Sequence, residues 1–296
     1  MKKSAPFFIL AAGSMWGCMG ILVRSLNSIG LESMEIVAVR SFVTFACMAA
    51  GLLLTDRNAF KIRLKDLWCF LGTGVFSVVF FNYCYFKTIT LTSLSVAAIL
   101  LYTAPSIVMV LSALLFGEKF TLKKVAALFI TFAGCVLVTG GPETARGMTA
   151  AGLLTGLGAG AGYALYSIFG RYAINRGYSS LTITLWTFLS ASVGVLPFIS
   201  LSDIGACFAA EPKTAGTALF WIFVTTVAPY ILYTLGLSHM ETGSASVISS
   251  IEPVVATLVG VFLYREVPTV MGVAGVILVI GAIALINTHR NSAPSV

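Results

Sequence analysis

The sequence predicts an all-α polytopic membrane protein with ten transmembrane helices arranged as two inverted five-helix repeats. Three observations lead there. Of 296 residues, 58% are hydrophobic and only 10% charged, whereas a soluble domain carries about a quarter charged residues to face water. The apolar residues run in stretches close to the ~20 that a helix needs to cross the hydrocarbon, not in the ~10-residue alternating segments of a β-barrel. Finally, Pro105 and Glu118 recur as Pro253 and Glu266, both displaced by half the chain length.

Apolar runs set against polar breaks give spans at about 6–26, 33–54, 67–86, 93–116, 121–140, 149–170, 181–200, 217–236, 243–263 and 269–287. The first run continues past any small-residue cleavage pattern, so it reads as an uncleaved span rather than a signal peptide. Two breaks are longer. Residues 56–66 hold Arg57, Lys61, Arg63 and Lys65, and residues 201–216 hold Asp203, Glu211 and Lys213. Neither leaves room for a soluble domain.

The repeat covers residues 6–140 (spans 1–5) and 149–287 (spans 6–10). Residues 97–137 lie on 245–285 without a gap, matching also at Leu115/Leu263, Thr121/Thr269, Val125/Val273 and Ala126/Ala274. Five spans is an odd number, so the second copy enters from the opposite side. The Glu118 turn and the Glu266 turn then face opposite compartments, the geometry of an inverted repeat.

Charge orients the chain. With the N-terminus cytoplasmic, twelve Lys and Arg fall inside, among them Lys2, Lys3, Lys124, Arg171, Arg176 and Arg290. Five fall outside: Arg24, Lys87, Arg146, Lys213 and Arg265. That satisfies the positive-inside rule and places both termini in the cytoplasm, with the cell membrane as location. The same loops account for the net charge of +7 and pI of 9.2, so no nucleic-acid partner is expected. Five of the six cysteines lie within spans and none forms CxxC. They read as small core residues, with no metal, cofactor or disulfide framework implied.

Glu252 is the sharpest candidate. It sits near the middle of span 9, where its repeat partner is Ala104. An ionised carboxyl at that depth costs a few kcal/mol on insertion scales, so it should face a cavity or a partner. Glu252 is therefore expected to bind a substrate amine or a coupling proton, against the plainer reading of a protonated carboxyl bonding a neighbouring helix. Pro105 and Pro253 offer no N–H to the carbonyls of Leu101 and Ser249. Kinks are expected there, lining a hydrated cavity that satisfies the freed carbonyls.

Polar and aromatic groups near span centres complete the candidate substrate site: Trp16, Asn82, Tyr85, Tyr102, Tyr163, Tyr166, Tyr230, Tyr233, Ser249 and Ser250. Interfacial belts claim most Trp and Tyr in membrane proteins, but groups at the midplane suit a cavity wall. Arg40, inside span 2, reads as half of a structural ion pair, with Glu32 and Glu35 near in sequence. Arg24 and Arg171 read as snorkelling to headgroups. Glu118 and Glu266, at span ends, read as turn or rim hydrogen-bonding groups. Gly13-x-x-x-Gly17 and the run Gly156, Gly158, Gly160, Gly162 lack the strand–helix setting of a nucleotide loop, so helix packing is the expectation.

Trp16-Gly17, Arg40, Tyr102-Thr103-Ala104-Pro105 with Phe116-Gly117-Glu118, and Glu252-Pro253-Val254 with Leu263-Tyr264-Arg265-Glu266 resemble, in order and spacing, the EamA family of the drug/metabolite transporter superfamily. The resemblance covers nearly the whole chain. It implies ten helices in two inverted halves, a cavity lined by spans 1, 3, 4, 6, 8 and 9, and movement of amino acids or other small metabolites, often outward. Two places depart from the pattern: Tyr163-Ala164 stands where span 1 has Trp-Gly, and Arg265 precedes Glu266 where glycine is usual. The expected partners are a small solute and the lipid bilayer, with proton coupling through Glu252. Two other classes stay open, a channel and a membrane-embedded lipid-modifying enzyme.

Overall fold

The computed structural model describes residues 4–141 and 148–287. Lys2, Lys3, Arg146 and Arg290, four of the charges used for orientation, lie outside the described residues. Among those described, every regular element is helical. Nine helices are long and apolar enough to cross a membrane. They are spans 1 (Ala5–Asn27), 2 (Ser33–Thr55), 3 (Leu64–Leu91), 4 (Leu94–Phe116), 6 (Ala150–Asn175), 7 (Ser180–Phe198), 8 (Pro212–Leu237), 9 (Thr242–Tyr264) and 10 (Val270–Asn287). Span 5, Leu122–Val138, has 17 residues and a length of about 26 Å at 1.5 Å per residue.

The boundaries follow local chemistry. Side-chain oxygens of Thr121, Thr149 and Ser179 cap the amides of Lys124, Gly152 and Thr182 at spans 5, 6 and 7, satisfying first-turn donors that have no helical partner. Glu32 and Glu35 form a capping box at span 2. One expectation is corrected. Residues 201–216 are not an open loop: Leu201–Ala210 forms a short apolar helix capped by Ser200, and Pro212 opens span 8. Proline suits a first helical turn, where its missing N–H has no partner to lose. Span 3 also runs to Leu91, past the expected end, and span 1 is interrupted at Cys18.

Spans 4 and 9 are each broken. Leu94–Leu101 (span 4a) and Ala104–Phe116 (span 4b) match Thr242–Ser249 (span 9a) and Glu252–Tyr264 (span 9b) end for end at the repeat offset of half the chain. Spans 3 and 8 each contain a widened, π-type turn, Gly72–Val79 and Phe223–Val227, whose last residues, Val79 and Val227, are related by the same offset. Such turns shift one helical hydrogen bond out of register and cluster at functional sites.

The tertiary packing respects the same exchange. Span 1 lies on span 8 as span 6 lies on span 3, span 5 pairs with span 10, and span 2 with span 7. Span 1 also backs both halves of span 9, and span 6 both halves of span 4. Small residues permit this closeness. A methyl group on Gly13 would stand 2.7 Å from the Ser249 carbonyl oxygen, and one on Gly160 would stand 2.9 Å from that of Leu100. Of the glycines expected for packing, Gly13, Gly17, Gly156 and Gly160 are seated near the two helix breaks, while Gly158 and Gly162 face Cys84 and Phe81 of span 3.

The exchange is incomplete, most plainly where spans 4 and 9 meet. Span 4b packs along span 9a, but span 4a and span 9b make no comparable contact. The two mouths between the halves differ.

Candidate functional site

Chain chemistry sets the site. Pro105 and Pro253 stand at the second residue of spans 4b and 9b, where they leave the Leu101 and Ser249 carbonyls without the amide that a continuous helix would supply. The helices part there, with Tyr102 and Thr103 in one gap and Ser250 and Ile251 in the other. Glu252 is the first residue after the second gap.

The Glu252 Oε2 accepts a hydrogen bond from the Tyr163 hydroxyl at 3.1 Å, linking spans 9 and 6. A cavity between the two breaks is lined by Leu101, Tyr102, Pro105, Tyr163, Ser250 and Glu252. The space open to a water molecule's centre there is about 10 Å³, near the threshold for one water. A metabolite needs these helices to move apart. Arg40, Tyr85, Tyr102, Tyr163, Tyr230 and Glu252 all remain partly accessible to water although neighbouring spans surround them. They face internal space.

An aromatic wall adjoins the carboxylate. Trp16 packs edge-on against Tyr163 at 6.3 Å and Tyr230 at 5.3 Å between ring centroids, and tilted against Tyr233 at 5.3 Å. Such pairs stabilise beyond simple burial by about 1 kcal/mol each. Phe81, unremarked in the sequence, bridges Tyr163 at 5.4 Å and Tyr85 at 5.8 Å.

Other candidates sit within the packing. Tyr166 and Tyr233 are buried, their hydroxyls sharing hydrogen bonds with Thr234 at 2.8 Å and Ser167 at 2.7 Å. Asn82 is buried and donates to the Val78 carbonyl of its own span at 2.7 Å. The hydroxyls of Ser249 and Ser250 turn back to the Ser246 carbonyl, beside the cavity.

Arg40 does not form the expected ion pair. Glu35 is occupied in the span 2 cap, accepting from the Glu32 amide at 2.9 Å. The Arg40 Nε instead donates to Thr226 Oγ1 at 3.1 Å, at the widened turn of span 8. No carboxylate among the described residues lies within ion-pair distance of it, although Glu252 is near enough to interact electrostatically. The site thus holds one cation and one carboxyl that do not neutralise each other by contact.

The span-end residues are more engaged than sequence indicates. The Glu118 carboxylate accepts from the Thr242 amide at 2.6 Å and the Gly243 amide at 3.0 Å, capping span 9a. Burial alone would raise the Glu118 pKa. The Gly243 and Thr242 amides, the Thr242 hydroxyl and the Arg171 charge outweigh it and hold the carboxyl below its ordinary value. Arg171 does not snorkel: its Nε donates to Thr242 Oγ1 at 2.9 Å and its Nη2 to the Met240 carbonyl. Lys124 pairs with Glu241 at 2.8 Å beside them. Arg24 is likewise engaged, bonded to Glu266 at 2.8 Å and stacked 3.9 Å over the Tyr264 ring.

A further knot escaped the sequence. Buried Asp66 accepts from Arg63 at 2.7 Å, Arg176 at 2.9 Å and the Tyr178 hydroxyl at 2.8 Å, tying the start of span 3 to the loop after span 6. Arg176 and Tyr178 are far away along the chain, and only the repeat frame, which sets those segments on one face, signals the meeting. Among the described residues, no group of acids, cysteines and histidines is placed to hold a metal ion.

Residues 3–140 and 150–288 each match the EamA-like transporter family. The "Uncharacterized transporter YxxF" of Bacillus subtilis is 25% identical, across all of this chain and 93% of that protein. An "Uncharacterized transporter" of Archaeoglobus fulgidus is 24% identical over 96% of each. A solved structure, titled "Crystal structure of protein", superposes with a TM-score of 0.78 at 19% identity, covering both chains fully, a likeness of fold. With both halves matched, the chain belongs to the EamA-like transporter family.

Proposed function

We propose that the protein is a secondary carrier that exports an amino acid or amine-like metabolite across the cell membrane by alternating access, coupled to protons through Glu252. The observation that carries this reading is the Glu252 carboxyl at the break of span 9, bonded by Tyr163 and unpaired by Arg40. A solute ammonium would replace the proton on Glu252, with the Tyr163 hydroxyl still orienting the carboxylate. Arg40 is the cation close enough to Glu252 to interact with it electrostatically and would meet a solute carboxylate once the helices part, and the Trp16–Tyr163–Tyr230 wall suits an apolar or aromatic body. Residues 6–140 and 149–287 act as the two moving repeats. Both termini face the cytoplasm in this reading, on the lysine and arginine balance of the loops.

Proteoliposome counterflow with single amino acids and amines, run with and without a pH gradient, tests the proposal. Saturable exchange that responds to the gradient supports it. A Glu252→Gln variant with unchanged rate and pH profile removes Glu252 from the mechanism, and ohmic current in place of saturation removes the carrier.

A further inference from the structure

The two mouths differ chemically as well as in packing. At one, Glu118 caps span 9a through the Thr242 and Gly243 amides, with Arg171 pinning the preceding turn. In the repeat alignment the counterparts are Glu266 and the Leu94 and Ser95 amides that open span 4a, with Arg24 one residue out of that register from Arg171. Those groups are all present, but the contact is not made. Glu266 is turned onto Arg24, each 55% exposed, and Ser93 Oγ caps Val96, the third amide of span 4a, rather than the first two. The backbone is nonetheless prepared. Gly117 and Arg265 hold the same left-handed turn, and the Glu118 and Glu266 amides return to the carbonyls of Ser112 and Gly260, which are themselves repeat partners.

From this pairing of a made and an unmade contact, we infer that Glu118 and Glu266 are alternating latches. Each carboxylate closes its own mouth by capping the first turn of the broken helix in the opposite half, and only one latch is engaged at a time. The physical reason is the helix N-terminus: two first-turn amides without helical acceptors and the positive end of the dipole together favour a carboxylate. In the state described here the Glu118 latch is closed and span 4b lies on span 9a. In the exchanged state Glu266 leaves Arg24, takes the Leu94 and Ser95 amides, and span 9b closes on span 4a. The inference rests on the alternating-access reading above, and it names the contacts that would hold each end state.

Hydrogen exchange of the full chain in lipid nanodiscs, without added solute, tests this separately from transport. Amide exchange reports how often a segment opens. In the unmodified protein, exchange at 242–243 should be at least about tenfold slower than at 94–95. Glu118→Gln should speed exchange at 242–243 at least about fivefold and slow it at 94–95 at least about twofold, because the population moves to the Glu266-latched state. In the double variant, with Glu266→Gln added, the slowing at 94–95 should vanish. Glu266→Gln alone touches only an exposed side chain, and should slow exchange at 242–243 by about twofold, the exchanged state having lost its latch. A change confined to the mutated mouth in every variant overturns the inference, leaving Glu118 a local cap. Failure of the carrier reading shows instead as absent counterflow, which this measurement does not use.

Discussion

Arg265 holds the left-handed backbone conformation at φ 59°, in the place where Gly117 holds it at φ 67° in the other half. A side chain in that region crowds its own carbonyl, at about 1–2 kcal/mol, whereas glycine has no such clash. Arg265→Gly is therefore expected to stabilise by about 1 kcal/mol after its greater unfolded-chain entropy is counted, raising the apparent Tm by a few degrees. Gly117→Ala should lower it by a similar amount. Equal, small effects from both substitutions would show that the turn carries no strain.

Gly17 and Gly51 form a matched pair of tests. A Cβ on Gly17 would stand 2.7 Å from the Glu252 carbonyl oxygen, while one on Gly51 meets nothing within 4 Å. Gly17→Ala should force spans 1 and 9 apart at the site, costing about 1–3 kcal/mol and most of the transport rate. Gly51→Ala, near the C-terminal end of span 2, should stabilise by up to about 0.5–1 kcal/mol through helix propensity. Thermal unfolding in detergent, ranked for the two variants, reads the outcome directly.

Acid should release the Glu118 cap. Its carboxyl lies below its ordinary value in the folded chain, so its contribution to stability is complete above the unfolded value of about 4.3 and is lost as pH falls through the folded value. Arg171, Lys124 and Glu241 are the other charged groups around this mouth. The gap in apparent Tm between the unmodified protein and Glu118→Gln should stay constant from pH 8 to about 5 and narrow below about 4.3. A gap that persists undiminished to about pH 3 would contradict the assignment.

Arg40 and Tyr163 should separate two ends of the solute. Tyr163→Phe deletes the one hydroxyl bonded to Glu252. A hydrogen bond to a charged group contributes about 1.5–3 kcal/mol, so uptake should fall about tenfold or more with folding intact. Arg40→Gln should lower the affinity for amino acids at least about tenfold and leave the matching decarboxylated amines nearly unchanged. Parallel losses for both solute types would assign Arg40 to packing against Thr226 instead.

Much of the frame was legible because hydrophobic length and a half-chain recurrence survive without any knowledge of contacts. Kinks at Pro105 and Pro253 could be placed because a missing N–H acts on its own chain, and Glu252 stands beside the second of them. Arg171, Lys124 and Asp66 could not be read, because their partners, Thr242, Glu241 and Arg176, are brought near only by the folded loops. The partner of Arg40 could not be read either, because Thr226 lies far along the chain and Glu35, near in sequence, is held in the span 2 cap. The short helix at Leu201–Ala210 was hidden by its flanking charges.

The Lys124–Glu241 pair has no counterpart, since the matching positions hold Gly272 and Ser93. The Asp66 knot has none either, with Thr214 in the matching position. In the alternating-access reading proposed above, contacts made in one half only, these two among them, bias where an unloaded molecule waits. A half-exposed ion pair such as Lys124–Glu241 contributes about 0.5 kcal/mol, enough for a population ratio of about two, and the buried Asp66 cluster adds to it. On that reading the idle molecule rests with the mouth beside Glu118 shut, and a solute arriving from that side would have to find a minority conformer before it could bind.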